Sequence, residues 1–216
     1  MVIIASILPT PARQSARQAC FFLLALMAAA LSACTAGAPV PDPRASPSGR
    51  DYADPGHGFR IAVPEGVTLR RGFAGSYLEN GQWKAYAGPD SRGESLVALQ
   101  LPGSDRIAMG ELRIGASSDA AEVRRCARPP DAAAGPAEPV SVGGVDYARF
   151  TAQDAAMSHY LAVEGYRAVR GGRCYAVDLL VYGTNPQVYS PPAVAPFTVE
   201  QGMARLRELM GGLHLD

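Results

Sequence analysis

The sequence predicts an α+β fold, an antiparallel sheet with flanking helices forming an α/β sandwich in one domain, on three observations. Apolar runs of strand length recur between glycine and proline punctuation. Two of these runs meet at Gly171-Gly172, a pair that accepts the positive φ of a two-residue hairpin turn. An amphipathic stretch over 198–210 closes the chain, with none of the strand–helix–strand alternation that builds a parallel sheet.

Taken in chain order, Phe59-Arg60-Ile61-Ala62-Val63-Pro64 alternates apolar with other residues, the pattern of a half-buried strand, and ends in the turn Pro64-Glu65-Gly66. Residues 83–86, 95–101 and 111–115 are further short strand candidates. Over 118–126 the pattern reads as a short helix that Ser118 can cap and whose positive end suits Asp119; Pro129 and Pro130 stop it. The Pro/Ala-rich patch 129–139 reads as a surface loop. In the hairpin over 160–182 the two-residue turn sets Val169 opposite Cys174, Ala168 opposite Tyr175 and Tyr166 opposite Val177, with Tyr175, Val177, Leu179 and Val181 on one face. The final helix places Val199, Met203, Leu206 and Met210 near one stripe; Gly211-Gly212 ends it, and Leu213 and Leu215 can add a last strand.

The run Gly58-Phe59-Arg60-Ile61-Ala62-Val63-Pro64-Glu65-Gly66 resembles the opening strand of PsbP/Mog1-like domains, found in photosystem accessory proteins and in some bacterial envelope lipoproteins. A terminal amphipathic helix followed by an apolar strand fits that order too, although the usual aromatic after the turn is replaced by Val67. The resemblance implies the sandwich; its members share no single activity, so it carries no functional residue across.

The first 33 residues contain no Asp or Glu, carry Arg13 and Arg17, and then run uncharged from Gln18 through a Leu/Ala-rich stretch. That is the basic, apolar, small-residue order of a secretory signal. The strongly apolar part, 19–33, spans about 22 Å as a helix, short of the roughly 30 Å hydrocarbon core. Leu31-Ser32-Ala33-Cys34 resembles the bacterial lipobox, which implies cleavage before Cys34 and acylation of its thiol. Plain signal cleavage and an uncleaved anchor remain alternatives. The expected organisation is a signal peptide over 1–33, a lipidated and disordered Pro-rich tether over 34–56, and one domain over 57–216. Thr35, where an Asp would retain a lipoprotein at the inner membrane, favours the outer membrane, facing the periplasm, in a cell with two membranes.

With the leader set aside, Cys126 and Cys174 form an even pair in an exported domain, and a disulfide is the natural reading. The adjacent Arg124, Arg125 and Arg173 keep a redox-active pair as the alternative. Two thiols without CxxC spacing or a nearby His leave a zinc shell unfilled, so no metal is expected. Twenty basic residues balance twenty acidic ones, which argues against a nucleic-acid partner.

No catalytic constellation emerges. His57, His159 and His214 stand at no ligand or relay spacing, and Ser158-His159 would point to opposite faces of a strand. Gly115-Ala116-Ser117-Ser118-Asp119 lacks the closing glycine of the nucleophile elbow, and no phosphate-binding glycine loop is present. Glu164 and Asp178 fall on opposite faces of the hairpin, which weakens a paired-carboxylate site. The loop 182–192, with prolines flanked by Tyr182 and Tyr189 around Asn185, suits partner recognition, or else serves as a long crossover into the last helix. The expectation is a lipid-anchored, non-enzymatic binding or accessory module without a cofactor, held at the membrane by its N-terminal lipid and meeting an envelope protein partner. The rivals are an envelope hydrolase assembled from distant residues and a small-molecule carrier with an apolar pocket between helix and sheet.

Overall fold

The computed structural model describes residues 49–216. The leader, the lipobox with Cys34 and most of the expected tether lie outside the described residues.

A seven-stranded antiparallel sheet runs in the order β3-β4-β5-β9-β8-β7-β6, built from β3 (Thr68–Arg71), β4 (Glu94–Gln100), β5 (Met109–Ser117), β6 (Glu138–Val142), β7 (Val145–Ala156), β8 (His159–Arg170) and β9 (Arg173–Thr184). A small sheet β1-β2-β10 is formed by β1 (Arg50–Asp54), β2 (Phe59–Val63) and β10 (Leu213–Leu215). With helices α1 (Ala120–Arg124) and α2 (Val199–Gly211), this is the expected α+β domain.

The β8–β9 hairpin has the predicted register, Val169 opposite Cys174, Ala168 opposite Tyr175 and Tyr166 opposite Val177, with Gly171 and Gly172 at φ 54° and 72°. Strand β7, absent from the sequence reading, joins β8 through Met157 and Ser158, both at positive φ. A two-residue turn without glycine gives no local signal, and the exposed second half of β7 lacks alternation. Edge strands β3 and β6, the latter opening inside the expected loop 129–139, were missed for the same want of buried residues.

Two boundaries also differ. Strand β1 lies inside the stretch assigned to the tether: Arg50–Asp54 pairs along the whole of β2, and its polar edge composition hid it. Asp119, not Ser118, caps α1, its carboxylate accepting from the backbone N–H groups of Ala121 (2.8 Å) and Glu122 (3.1 Å). Helix α2 opens with a capping box between Thr198 and Gln201.

One face of the main sheet packs against α2 and the small sheet. Leu99, Leu112, Ile114, Val177, Leu179 and Val181 meet Leu206, Met210, Phe59, Ile61 and Leu213 there. Val199, expected on the buried stripe, lies at the first helical turn and remains exposed, so the stripe begins at Met203. The space between α2 and the sheet, where a carrier would hold its cargo, is occupied by these side chains.

The opposite face is unusual for a core sheet in carrying Glu111, Arg113, Arg167 and Asp178, all buried. It is roofed by the irregular segment 72–93. Residues 83–86, expected as a strand, form a turn closed by Ala87 N–H to Lys84 C=O, with Tyr86 at φ 58°, because the Ala85 N–H bonds the Asp178 carboxylate rather than a neighbouring strand. Gly115 lets this roof descend: a Cβ there would overlap the Trp83 carbonyl. Gly115→Ala is therefore expected to cost about 1–3 kcal/mol of unfolding free energy in urea titration, whereas a change within error would show that the roof is not seated on the strand.

Candidate functional site

Cys126 and Cys174 form a disulfide, with 5.6 Å between their Cα atoms, that ties the end of α1 to β9. Both are buried beside Trp83 and Ala176. Such burial suits a structural bridge more than an exchanging pair.

On the roofed face, Arg113 pairs with Glu79 from the roof and lies 3.4 Å from Glu111, which also meets Arg70 at 3.3 Å and accepts a 2.8 Å hydrogen bond from the Tyr182 hydroxyl. Asp178 holds two elements at once, accepting from Arg167 Nη1 and from the Ala85 backbone N–H, each at 2.7 Å. The Arg167 guanidinium lies over the Phe150 ring, 5.0 Å from its centroid. Burial pushes the Glu79 carboxyl up despite Arg113, and pushes the Tyr86 and Tyr182 hydroxyls up to about 12, with nearby carboxylates adding to both. An open groove of about 380 Å³ above this network is lined by Lys84, Tyr86, Glu122 and Arg167 among others, and the Lys84 ammonium is closed onto Glu122. These charges engage one another, and the one serine hydroxyl in the groove, that of Ser91, donates to Glu122 at 2.9 Å while accepting from the Trp83 indole N–H, with no histidine bonded to it among the described residues.

Glu164 lies on the α2 side and Asp178 on the roofed side, as the register predicted. Buried Glu164 accepts from Tyr166 (3.0 Å) and pairs with Arg207 and Arg149. Burial alone would raise its carboxyl, but the hydrogen bonds from Arg207, Arg149 and Tyr166 outweigh that and lower it below 4.5. A folded-state value below the unfolded one means stability that is present above about pH 4.5 and lost as pH falls through the folded value. Thermal melts of the wild type should therefore decline below that pH, and Glu164→Gln should flatten the decline; identical acid profiles would remove Glu164 from the account.

The three histidines stand apart. His57 Nδ1 is 3.0 Å from Asp54 and its Nε2 is 3.3 Å from Glu94; His159 stacks on Tyr77 with ring centroids 4.3 Å apart; His214 lies exposed on β10. Ser158 occupies the β7–β8 turn rather than a strand, and no serine–histidine hydrogen bond is found among the described residues.

The expected recognition loop divides. Tyr182 belongs to β9 and points its hydroxyl onto the roofed face. Asn185 starts a 3-10 turn, accepting from Gln187 N–H at 3.0 Å, while its own N–H donates to the Ser158 carbonyl at 2.7 Å. Tyr189 lies under Arg106, 5.2 Å from its ring centroid. The loop is thus seated against the β7–β8 turn, and the fold gathers exposed apolar side chains around both: Tyr77 (60% exposed), Met157 (80%), Val188 (52%) and Val194 (89%). Tyr77 stood out only as one of many aromatics that could line a groove, and Met157 not at all, because what they meet comes from distant segments.

No protein family and no curated protein matches the chain. Among solved structures, a protein from Bacteroides thetaiotaomicron is similar at 16% identity with a TM-score of 0.45, over 78% of this chain; the chain spans about half of that one (48%). Cyanobacterial PsbP (CyanoP) from Synechocystis sp. PCC 6803 is similar at 11% identity with a TM-score of 0.41, over 80% of this chain and 96% of that one. At these scores the likeness is a weak PsbP-like resemblance.

Proposed function

We propose that this chain is a lipid-anchored protein of the cell envelope, a binding or accessory module that makes contact through the end of the sheet bearing Tyr77, Met157, Val188 and Tyr189. The anchor is supported by Leu31-Ser32-Ala33-Cys34 after the apolar leader, and an oxidising compartment by the Cys126–Cys174 bridge. The observation that carries the contact surface is the gathering at one end of Tyr77, Met157, Val188 and Val194, strongly exposed apolar side chains from three separate segments, beside the half-buried Tyr189.

Two measurements test this reading. Cys34→Ser should abolish the acyl mass and the membrane partition of the mature chain; unchanged mass and partition would exclude the anchor. A photo-crosslinking residue at position 157 should give adducts in intact cells that the same residue at position 169, exposed at the opposite end, does not. Equal yields from both would remove the contact surface.

A further inference from the structure

We propose that the sheet end carrying Tyr77, Met157, Val188 and Val194 rests on the lipid surface to which Cys34 ties the chain, an inference that depends on the anchored reading above. Strand direction carries it. Arg50 pairs with Val63 at the close of β2. The chain then turns through Pro64 to Val67, and Gly66 lies against Pro102, just past the end of β4. Leu101 N–H donates to the Gly110 carbonyl, and Gly110 pairs with Val181, next to Tyr182 near the end of β9. Tyr182 pairs in turn with Leu161, which follows the Met157-Ser158 turn. The first described residues, Gly49-Arg50, are therefore at the same end of the sheet as the exposed apolar tips.

Only the stretch 35–48 separates Cys34 from Gly49. At ~3.3–3.6 Å per residue its full reach is about 50 Å, so an acylated chain keeps this end close to the bilayer at high effective concentration. Weak intrinsic affinity then suffices. The apolar side chains stand on the tips of a two-residue turn and a loop, a shape suited to entering a headgroup region, and the Tyr189–Arg106 pair beside them has the mixed polarity of interfacial residues. Arg50 and Arg106 are interspersed at this end with Glu65, Asp105, Asp154 and Glu200, so apolar contact rather than attraction to an anionic surface drives the docking. Added salt should leave it nearly unchanged.

The test uses the processed, acylated protein isolated from membranes and placed in vesicles of phosphatidylethanolamine and phosphatidylglycerol. An environment-sensitive fluorophore is attached at Met157→Cys, Val194→Cys or Val169→Cys. Quenching by lipid-borne nitroxide should be several-fold stronger at 157 and 194 than at 169, and Val188→Asp should weaken it. If the protein floats with the vesicles while all three labels are equally water-exposed, docking falls and the anchor stands. If 157 is shielded in native membranes but exposed in pure lipid, a protein covers this end and the lipid assignment is overturned. If Cys34 carries no acyl mass and the chain does not float, the anchored reading falls and takes the docking with it.

Discussion

Replacing Asp178 with alanine is expected to lower the unfolding free energy by about 3–5 kcal/mol, because it leaves the Arg167 guanidinium buried without its carboxylate partner. It also releases the Ala85 N–H and with it the turn that holds the roof on the sheet. Trp83, the one tryptophan of the chain, sits buried in that roof, so its emission should shift to longer wavelength in the folded variant. Folding is separated from charge by the double variant Asp178→Leu with Arg167→Met. Removing both charges leaves none uncompensated and should cost less than the single alanine. A loss below about 1 kcal/mol for Asp178→Ala would mean that water already satisfies Arg167 and that the pair holds nothing together.

Reduction or replacement of the Cys126–Cys174 bridge should have an effect of similar size. The cysteines are 48 residues apart in sequence. In the chain-entropy model, closing a loop of that length stabilises the folded state by about 4 kcal/mol, chiefly by restricting the unfolded chain. Cys126→Ala with Cys174→Ala should therefore unfold at lower urea with little change in the folded domain, and reductant should not destabilise the variant further. Because both sulfurs are buried against Trp83, reduction of the wild type should be slow under native conditions and fast in denaturant. An unfolding curve that reductant leaves unmoved would show that the bridge contributes nothing.

These two predictions lie on different sides of what could be read beforehand. Cys126 and Cys174 were legible because reading the leader as a signal leaves an even pair of cysteines and restricts the choices to one. Asp178 was assigned correctly to a face but not to a role, since its partners Arg167 and Ala85 come from another strand and from an irregular segment far away in sequence. Glu79 and Arg113 were missed for the same reason. The charged residues of β5, Glu111 and Arg113, alternate with Leu112 and Ile114 within a run expected only as a short strand, and the roof over 72–93 makes their side of the sheet an interior.

The contact surface shows the same division. Tyr189 and Asn185 were singled out from proline and tyrosine punctuation within one loop, whereas Met157 and Tyr77 acquire meaning only where the β7–β8 turn and the roof meet that loop. Tyr182 moved the other way: strand β9 runs past it and its hydroxyl turns onto Glu111.

By itself the sequence determined the α+β class, the register of the β8–β9 hairpin, the final helix with its trailing strand, and the pairing of the two domain cysteines. Each rests on a local device: a Gly-Gly turn, a period of 3.6 residues, or the parity of cysteines. Only the tertiary structure decided that a polar strand face would be buried as an ion-pair network, that β7 would join through a turn without glycine, and that exposed apolar tips would gather at one end of the sheet. The buried network and the gathered tips depend on contacts between segments tens of residues apart, such as Ala85 with Asp178 and Tyr182 with Glu111, and the β7 turn on residues that carry no local turn signal.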